Sequence, residues 1–271
     1  MGPNFPDYPR IGVWPDGYYV SFNMFVHDDG GKPLGGRACV FERSAMLTGE
    51  PARQECFDSS ETANMVPSEW DGATPPPAGS PNYFVQLGLH GTNVLRLYKL
   101  HADFVTPANA TFSAPVELPV SSFIPACDPP EPTPTGRNGG DGGPDATLCI
   151  PQRGTKQKLV EISDRLMYRA AYRNFGDHDS LVATHTVARV VKGTSPITVN
   201  GAAIRWYELR NLSSDATVFQ QGTFGPGRKW RWMPSIGMDR AGNIAVGYST
   251  SGHGTFPGTA LQGVCRTIRP G

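Results

Sequence analysis

The sequence has little charge, and what it has is balanced. Charged residues make up 18% of the 271 residues, and Lys plus Arg (24) equal Asp plus Glu (24), so the formal net charge is zero. A typical globular domain carries about a quarter charged residues. Nucleic-acid partners and anionic membrane surfaces select for clusters of basic residues. We therefore predict neither a nucleic-acid partner nor binding to a charged membrane surface.

Long apolar runs are absent as well. No run approaches the roughly 20 residues that a membrane-spanning helix needs. Met1 is followed at once by Gly2-Pro3-Asn4-Phe5-Pro6, which supplies neither the basic nor the apolar region of a signal peptide. We expect no membrane span and no signal peptide in this chain, so that it is either a mature protein or one whose natural start lies upstream.

Several motifs that would fix a chemistry are missing. The sequence contains no G-x-S-x-G nucleophile elbow, no H-E-x-x-H metal motif and no G-x-G-x-x-G phosphate-binding fingerprint. Its glycine clusters lie in loop-like stretches rather than between a strand and a helix. We therefore expect no nucleotide cofactor, and any catalytic site has to be inferred from side chains that folding brings together.

Glycine and proline are abundant instead. The 32 Gly and 26 Pro residues make up about a fifth of the chain, against a usual share of roughly 12%. They follow no collagen-like period and punctuate short apolar runs, which is typical of proteins with many short strands and tight turns. Helical patterns are nearly absent from the chain.

A turn recurs along the sequence. Four segments share an apolar run, an acidic turn and a second apolar or aromatic run, with the turn at Asp16, Asp71, Asp164 and Asp239. Such turns close tight hairpins. Their spacing suits propeller blades of about 40–50 residues with inserted loops. We predict an all-β chain, a β-propeller or partial propeller of four-stranded antiparallel blades with few short helices; a β-sandwich would use the same hairpins.

The five cysteines suggest an oxidising compartment. Cys39 and Cys56 flank a strand-turn-strand pattern, Cys127 and Cys149 bracket a Pro/Gly-rich loop, and Cys265 is left over. The spacings fit no zinc site. We predict two disulfides, Cys39–Cys56 and Cys127–Cys149, each worth about 3 kcal/mol in the chain-entropy account, and a secreted or extracellular protein.

Three stretches carry a family resemblance. Residues 7–19 (DYPRIGVWPDGYY), 169–180 (RAAYRNFGDHDS) and 231–239 (RWMPSIGMD) resemble segments of uncharacterised secreted bacterial β-propeller proteins of sialidase-like pattern. The resemblance covers roughly residues 5–255 and implies a propeller. It also implies that this chain corresponds to an internal fragment of a longer family member.

The same pattern sets the expected domain organisation. We expect a single, incomplete set of propeller blades over residues 1–256 and an irregular, aberrant tail over residues 257–271, in which Cys265 is accidental. An incomplete propeller exposes sheet edges, so self-association is an expected consequence.

The densest polar stretch supplies the candidate catalytic residues. Asp177-His178-Asp179 places an imidazole between carboxylates, an arrangement that suits a general base. His185 follows after a short apolar run. We take His178, Asp177 and His185 as catalytic candidates; a solvated hairpin tip for the first two, and a hydrogen-bonded core histidine for the third, are the structural alternatives.

Binding residues are predicted from their places in the repeats. Arg10 begins the first expected inner strand, Arg173 lies in the polar stretch before His178, and Trp232 could offer an indole face to a sugar or acyl chain. Ion pairing between blades for Arg10, and packing between blades for Trp232, are the structural alternatives. Carboxylates at turns suit Ca²⁺, so Asp7, Asp16 and Asp179 are the predicted ligands of a calcium cofactor. The loop at residues 138–145 (NGGDGGPD) resembles a calcium-binding turn without the full EF-hand spacing.

Two classes of function remain open. The first is an extracellular-type hydrolase, lactonase-like and in one version calcium-dependent, that acts on an ester or lactone such as an acylated lactone at the propeller channel. The alternative is a non-catalytic propeller that binds carbohydrate or protein, or else a glycoside hydrolase, which would need two suitably spaced carboxylates. Either class implies a small-molecule or carbohydrate ligand.

Overall fold

Strands account for most of the chain. The structure, a computed structural model, describes residues 4–27, 31–88, 93–127, 148–191 and 198–264. One short helix, α1 (Arg43–Thr48), and a 3₁₀ turn (Pro107–Asn109) accompany the strands. The strands are β1 (Asn4–Val13), β2 (Gly17–Val26), β3 (Pro33–Glu42), β4 (Gln54–Ser59), β5 (Val66–Trp70), β6 (Asn82–Leu87), β7 (Val94–His101), β8 (Thr111–Phe112), β9 (Val116–Pro119), β10 (Leu148–Ile150), β11 (Leu159–Val160), β12 (Ala170–Asn174), β13 (Asp179–Val191), β14 (Thr198–Arg210), β15 (Thr217–Phe224), β16 (Trp230–Met238), β17 (Ile244–Gly252) and β18 (Thr255–Val264).

The strands form successive antiparallel meanders. The first is β1-β2-β3-β4, the second runs from β5 to β8 and β9, the third is β12-β13-β14-β15 and the last is β16-β17-β18. Neighbouring strands in sequence are neighbours in space, as short hairpin turns require. The all-β prediction is confirmed, and the antiparallel meanders are consistent with a partial β-propeller.

A parallel ladder joins the second and third meanders. β5 and β12, the first strands of the second and third meanders, pair in parallel, with Ala170 opposite Ser68 and Tyr172 opposite Trp70. This pairing merges two meanders into a curled nine-stranded sheet. Among the described strands, the first meander is a separate four-stranded sheet, whereas the second and third share one curled sheet.

β1 and β16 share a local irregularity that marks them as related elements. In β1 the register shifts between Asp7 and Arg10, and Tyr8 has a φ of 54°. In β16 the shift lies between Trp232 and Ser235, and Met233 has a φ of 46°. Tyr8 and Met233 are each followed directly by a proline, and an Ile-Gly pair begins two positions after that proline. Positive φ is uncommon for such side chains, so its recurrence supports repeated meanders.

An aromatic cluster holds the meanders together. Trp14 follows β1, Tyr83 lies in β6 and Tyr172 lies in β12, and all three are buried. The ring centroids of Trp14 and Tyr172 are 4.8 Å apart in an edge-on arrangement, and those of Tyr83 and Tyr172 are 6.1 Å apart. Because aromatic side chains bury large apolar areas, this cluster ties three meanders to one core.

Both predicted disulfides are confirmed. Cys39 and Cys56 face each other across β3 and β4, and Cys127 bonds to Cys149 with Cα atoms 5.7 Å apart. Two disulfides are compatible with an extracellular protein. A search of the helices in the described ranges finds none with the length and apolar character needed to span a membrane.

The expected irregular tail is partly wrong. Residues 255–264 form β18, which pairs along β17 from Thr255 to Val264. Pro257 and the flanking glycines predicted a break in the chain, but β18 is the outer strand of its sheet. On the open side of an edge strand, a missing N–H costs no ladder hydrogen bond. Residues 265–271, including Cys265, lie outside the described residues.

The contact between β1 and β5 yields a stability prediction. A Cβ at Gly12 would overlap the carbonyl oxygen of Ser68, whereas one at Gly237, the corresponding Ile-Gly glycine of β16, would meet nothing within 4 Å. Gly12→Ala should therefore destabilise the protein by about 1–3 kcal/mol through overpacking. Gly237→Ala should change stability by less than about 0.5 kcal/mol. Urea unfolding of both variants measures the difference; equal effects would show that β1 does not approach β5 this closely.

Candidate functional site

The predicted catalytic pair forms at a hairpin tip. Asp177 and His178 lie between β12 and β13, where the Phe175 amide donates to the His178 carbonyl at 2.9 Å. His178 Nδ1 lies 2.7 Å from the Asp177 carboxylate, and this hydrogen bond lowers the pKa of Asp177. The imidazole stacks on Phe175 with centroids 4.8 Å apart. The geometry thus contains an oriented His–Asp pair.

His185 does not join that pair. It lies seven residues further along extended β13, about 20 Å away at strand spacing. Its Nε2 is 2.9 Å from the Tyr207 hydroxyl, and its ring packs edge-on against Phe123 at 4.8 Å. Burial, aided by the nearby charge of Arg205, lowers the pKa of His185 to about 3. His185 is therefore a neutral core histidine, which is the structural alternative to a catalytic role given above.

The three predicted calcium ligands are not brought together. Asp7 lies opposite Asn23 in the first half of β1, while Asp16 follows the other end of that strand and accepts from Tyr19 Oη at 3.1 Å. At about 3.3 Å per residue, the distance along β1 from Asp7 to the end of the strand is about 20 Å. Asp179 accepts the Leu212 amide at 3.3 Å. These positions do not make one cation site.

Other potential metal ligands in the described residues are not grouped into a site either. Within the part of the chain that the structure describes, no group of three His, Cys, Asp or Glu side chains is placed to hold a metal ion. The loop at residues 138–145 lies outside that part. A calcium cofactor therefore stays a prediction without support from the described geometry.

The predicted binding residues occupy different places. Arg10 Nη1 donates to the carbonyls of Asn64 (2.5 Å) and Met65 (3.2 Å), just before β5. Arg173 Nη2 donates to the Met238 carbonyl at 2.9 Å, near the other end of the inner strands. Trp232 is only 5% exposed and packs in a small core cluster. An exposed aromatic platform at Trp232 is therefore ruled out, because its faces are covered by protein.

A second polar constellation was missed by the sequence analysis. Arg169 Nη1 lies 3.0 Å from Glu69 Oε2, and its Nη2 donates to Asp71 Oδ2. The Tyr168 hydroxyl donates to the same Glu69 oxygen at 3.3 Å. We call Glu69, Asp71, Tyr168 and Arg169 the carboxylate–arginine cluster. It contains two carboxylates held by adjacent nitrogens of one guanidinium.

The backbone explains why these four residues meet. Glu69 and Asp71 are two positions apart at the end of β5, and alternate residues of a strand project to the same side. Tyr168 and Arg169 come directly before β12, whose parallel ladder begins with Ala170 opposite Ser68. The Asp71 amide donates to the Tyr172 carbonyl at 2.8 Å, which extends the pairing to the carboxylate itself.

The cluster is partly open to solvent. The side chains of Arg169, Glu69 and Asp71 retain between about a fifth and a third of their exposure, and Tyr168 is 47% exposed. Partial burial and the neighbouring Glu69 carboxylate raise the pKa of Tyr168, so its phenol stays protonated and acts as a hydrogen-bond donor. A polar ligand can therefore reach these groups without unfolding the strand.

A cavity of about 400 Å³ adjoins the cluster at Asp71. Its other walls come from the end of β16, the following turn, the start of β17 and Gly263 of β18. In the turn, the Asp239 carboxylate accepts the amides of Ala241 (2.8 Å) and Asn243 (2.9 Å). Arg173, one of the predicted binding residues, reaches the same place through its bond to Met238. The volume lies within the usual range of ligand sites.

Two further arginines surround one phenol ring near the start of β5. The guanidinium of Arg10 lies 4.5 Å from the Tyr8 ring centroid and that of Arg165 lies 5.1 Å from it. Arg165 pairs with Asp164 at 2.7 Å. Arg10 is 3% exposed, and burial lowers its pKa. The bulge at Tyr8 thus places an aromatic face between two cations, which stabilises both.

The sequence held a partial signal for the cluster. Glu69-Trp70-Asp71 shows two carboxylates at strand spacing, but Asp71 was interpreted as a turn residue of the repeat. Arg169 precedes the Asp177-His178-Asp179 stretch, and nothing in the sequence links it to a residue about 100 positions earlier. Only the β5–β12 ladder makes that link.

Comparison with known proteins gives little further identification. No family model matches the sequence, and no curated protein matches it. Similar solved structures include one described as "Glycoside hydrolase", at 9% identity and a TM-score of 0.33 over 100% of this chain and 90% of that one. Another is described as a complex of BT0996 and RGII, at 10% identity and a TM-score of 0.31 over 99% and 89% of the two chains. Likenesses this distant establish neither fold nor activity, and the sialidase-like resemblance receives no support from sequence families.

The buried histidine predicts how stability depends on pH. His185 has a pKa of about 3 in the folded protein and about 6.5 when unfolded. Below pH 6.5 the unfolded chain binds a proton that the folded protein does not, so stability falls as pH decreases towards 3. From pH 6 to pH 4 this loss should be on the order of 2 kcal/mol.

A non-titrating substitution tests this assignment. His185→Gln retains a hydrogen-bonding group for Tyr207 and should reduce the loss between pH 6 and pH 4, measured by urea unfolding. His253→Gln, at the exposed β17–β18 turn, is the control and should leave the parent pH dependence intact. If His185→Gln preserves the full loss, His185 is not the responsible group.

Proposed function

We propose that this protein is an extracellular-type hydrolase acting on carbohydrate, with Glu69 and Asp71 as its paired carboxylates. The observation that carries the proposal is their arrangement on one guanidinium, that of Arg169, beside a cavity lined by Asp71. Hydrolysis of a glycosidic bond generally uses two carboxyl groups, one that protonates the leaving oxygen and one that attacks the sugar or activates water.

The contacts suggest how the two carboxylates divide these tasks. Asp71 lines the cavity, so we assign it the role of the nucleophile or of the base that takes a proton from water. Glu69 Oε2 already receives the Tyr168 hydroxyl proton in a hydrogen bond, so we assign this pair the transfer of a proton to the leaving oxygen. Arg169 fixes both carboxylates, because a forked guanidinium binds two oxygens in a defined geometry.

Water adds its hydroxyl to the anomeric carbon, and the carbon–oxygen bond to the leaving group breaks. The leaving oxygen takes the phenolic proton of Tyr168, which Glu69 positions. The proton lost by water passes to Asp71 and returns through solvent to Tyr168, so the starting protonation state is restored. Arg173 donates to the carbonyl of Met238, a residue that lines the cavity, and we assign it the support of that wall.

The ester or lactone alternative depends on a different place. Asp177 orients His178 at 2.7 Å, as a general base requires. The nearby Ser180 hydroxyl donates to Glu208 at 2.7 Å, so water rather than this serine would be the nucleophile. Among the described residues, the alternative has no second catalytic group in contact with His178, and for this reason we rank it below the carboxylate–arginine cluster.

Substitution of the two carboxylates tests the proposal. On a panel of aryl glycosides and plant or bacterial polysaccharides, Asp71→Asn and Glu69→Gln should each lower kcat/KM by at least about 100-fold, the usual effect of losing an acid or base. Glu117→Gln is the matched control, since Glu117 also pairs with an arginine, Arg96, at 3.0 Å but lies away from the cavity. It should retain the parent activity.

Adding ester and lactone substrates to this panel, together with a sugar-binding measurement, separates the other functions. Activity on esters or lactones that is lost in His178→Ala and kept in Asp71→Asn would overturn the glycosidase assignment in favour of the hairpin pair. Saturable sugar binding without turnover would identify a non-catalytic carbohydrate-binding protein. Glycosidase activity unaffected by both carboxylate substitutions would place the active site elsewhere.

A further inference from the structure

A larger cavity lies in the third meander, away from the carboxylate–arginine cluster. It has a volume of about 830 Å³, is open to solvent on one side, and is lined by β13, β14, residues 223–226 at the end of β15 and the segment at residues 122–124. None of its lining residues belongs to the cluster. Most of the walls are apolar, and the main contributors are Phe123, Val187, Val190, Ala203, Phe224 and Pro226.

Arg205 is the polar feature that distinguishes this cavity. Arg205 lies opposite His185 on β13 and opposite Thr223 on β15. Residues that are directly opposite in a sheet project to the same side, so the Arg205 side chain lies on the face of the sheet that forms the floor of the cavity. The residue is only 7% exposed. A guanidinium buried against apolar walls is unfavourable unless its charge is compensated.

Among the described residues no carboxylate contacts Arg205, whose guanidinium lies 5.5 Å from the ring centroid of Tyr207. Nη1 donates to the Thr223 hydroxyl at 2.8 Å, and Nη2 donates to Gln221 Oε1 at 2.5 Å and to the Ser121 carbonyl at 3.1 Å. All of these acceptors are neutral. Its buried Nε has no hydrogen-bond partner within the described ranges, and the ion pairs found there do not include Arg205.

The rest of the lining reinforces a preference for an anion. Among the described residues, no Asp or Glu lines the cavity. Arg189 is its second cation, but its donors already bind the Asn200 side chain and backbone carbonyls. The cavity thus combines apolar walls with one buried guanidinium that has an unused donor, which matches a ligand with an apolar body and a single anionic group.

We propose that this cavity binds an aliphatic carboxylate, with the carboxylate on Arg205 and the chain between Val187, Val190 and Phe123. A charge-assisted hydrogen bond between the carboxylate and the guanidinium edge that lines the cavity would compensate the buried charge. The aliphatic chain would replace water along the apolar walls, with affinity rising about fourfold for each methylene buried. The site is a binding site only, and it is independent of the glycosidase proposal.

Calorimetric titration with decanoate, below its micelle concentration, tests this site. We expect saturable binding at one site, weaker binding of octanoate by about 16-fold because it lacks two methylenes, and no comparable binding of decyltrimethylammonium, whose head carries the opposite charge. Arg205→Met should weaken decanoate binding at least 10-fold. Equal binding of the anionic and cationic amphiphiles, or no binding of decanoate, would overturn the proposal.

A second variant keeps the test decisive if Arg205→Met does not fold. Val190→Trp would fill the cavity from its rim and should abolish decanoate binding while far-ultraviolet circular dichroism stays that of the parent. Val105→Trp is the matched control, because Val105 is 88% exposed and lies outside the cavity, and it should bind decanoate like the parent. Decanoate binding that survives Val190→Trp would show that the ligand lies elsewhere. The glycosidase activity of the Val190→Trp variant should be unchanged, so failure here is distinguishable from failure of the proposed function.

Discussion

The parallel ladder between β5 and β12 is the constraint on which the rest of the structure depends. These strands are about 100 residues apart, and each begins a meander whose other strands pair only with their own neighbours. Because β5 and β12 are hydrogen-bonded to each other, the ladder joins two meanders into one curled sheet and fixes their relative register. Gly12 then allows β1 to pack against the backbone of β5, which brings Trp14 onto Tyr172.

The same register builds the proposed active site. Arg169 precedes the ladder on β12, and the two carboxylates it binds lie at the end of β5. A slip of one residue would turn Arg169 to the other side of the sheet and separate it from Glu69 and Asp71. Fold and function are therefore linked through one set of backbone hydrogen bonds, while the cavity at Arg205 is formed by the third meander and the segment at residues 122–124.

Local features of the sequence predicted much of the fold. Asp-rich turns between short apolar runs indicated antiparallel hairpins, and the spacing of Cys39 and Cys56 indicated a disulfide across neighbouring strands. These predictions succeeded because hairpins and short loops are determined by nearby residues. The strand at residues 255–264 was missed because Pro257 is unfavourable inside a sheet but tolerated on an outer strand.

The candidate site was less predictable for a physical reason. His178 and Asp177 are adjacent in sequence, so their hydrogen bond could be expected, whereas Glu69 meets Arg169 only through a distant strand pairing. Burial also argues against the roles expected of two other residues. His185 was a catalytic candidate and Trp232 a ligand-binding candidate, yet both are packed within the protein.

The β5–β12 ladder can be tested directly by nuclear Overhauser effects between backbone protons of residues 68–70 and 170–172. The structure predicts interstrand amide–α-proton contacts in the parallel register of Ser68 with Ala170, together with slow exchange of the Asp71 amide bound to Tyr172. Absence of these contacts, or an antiparallel or shifted pattern, would contradict the account.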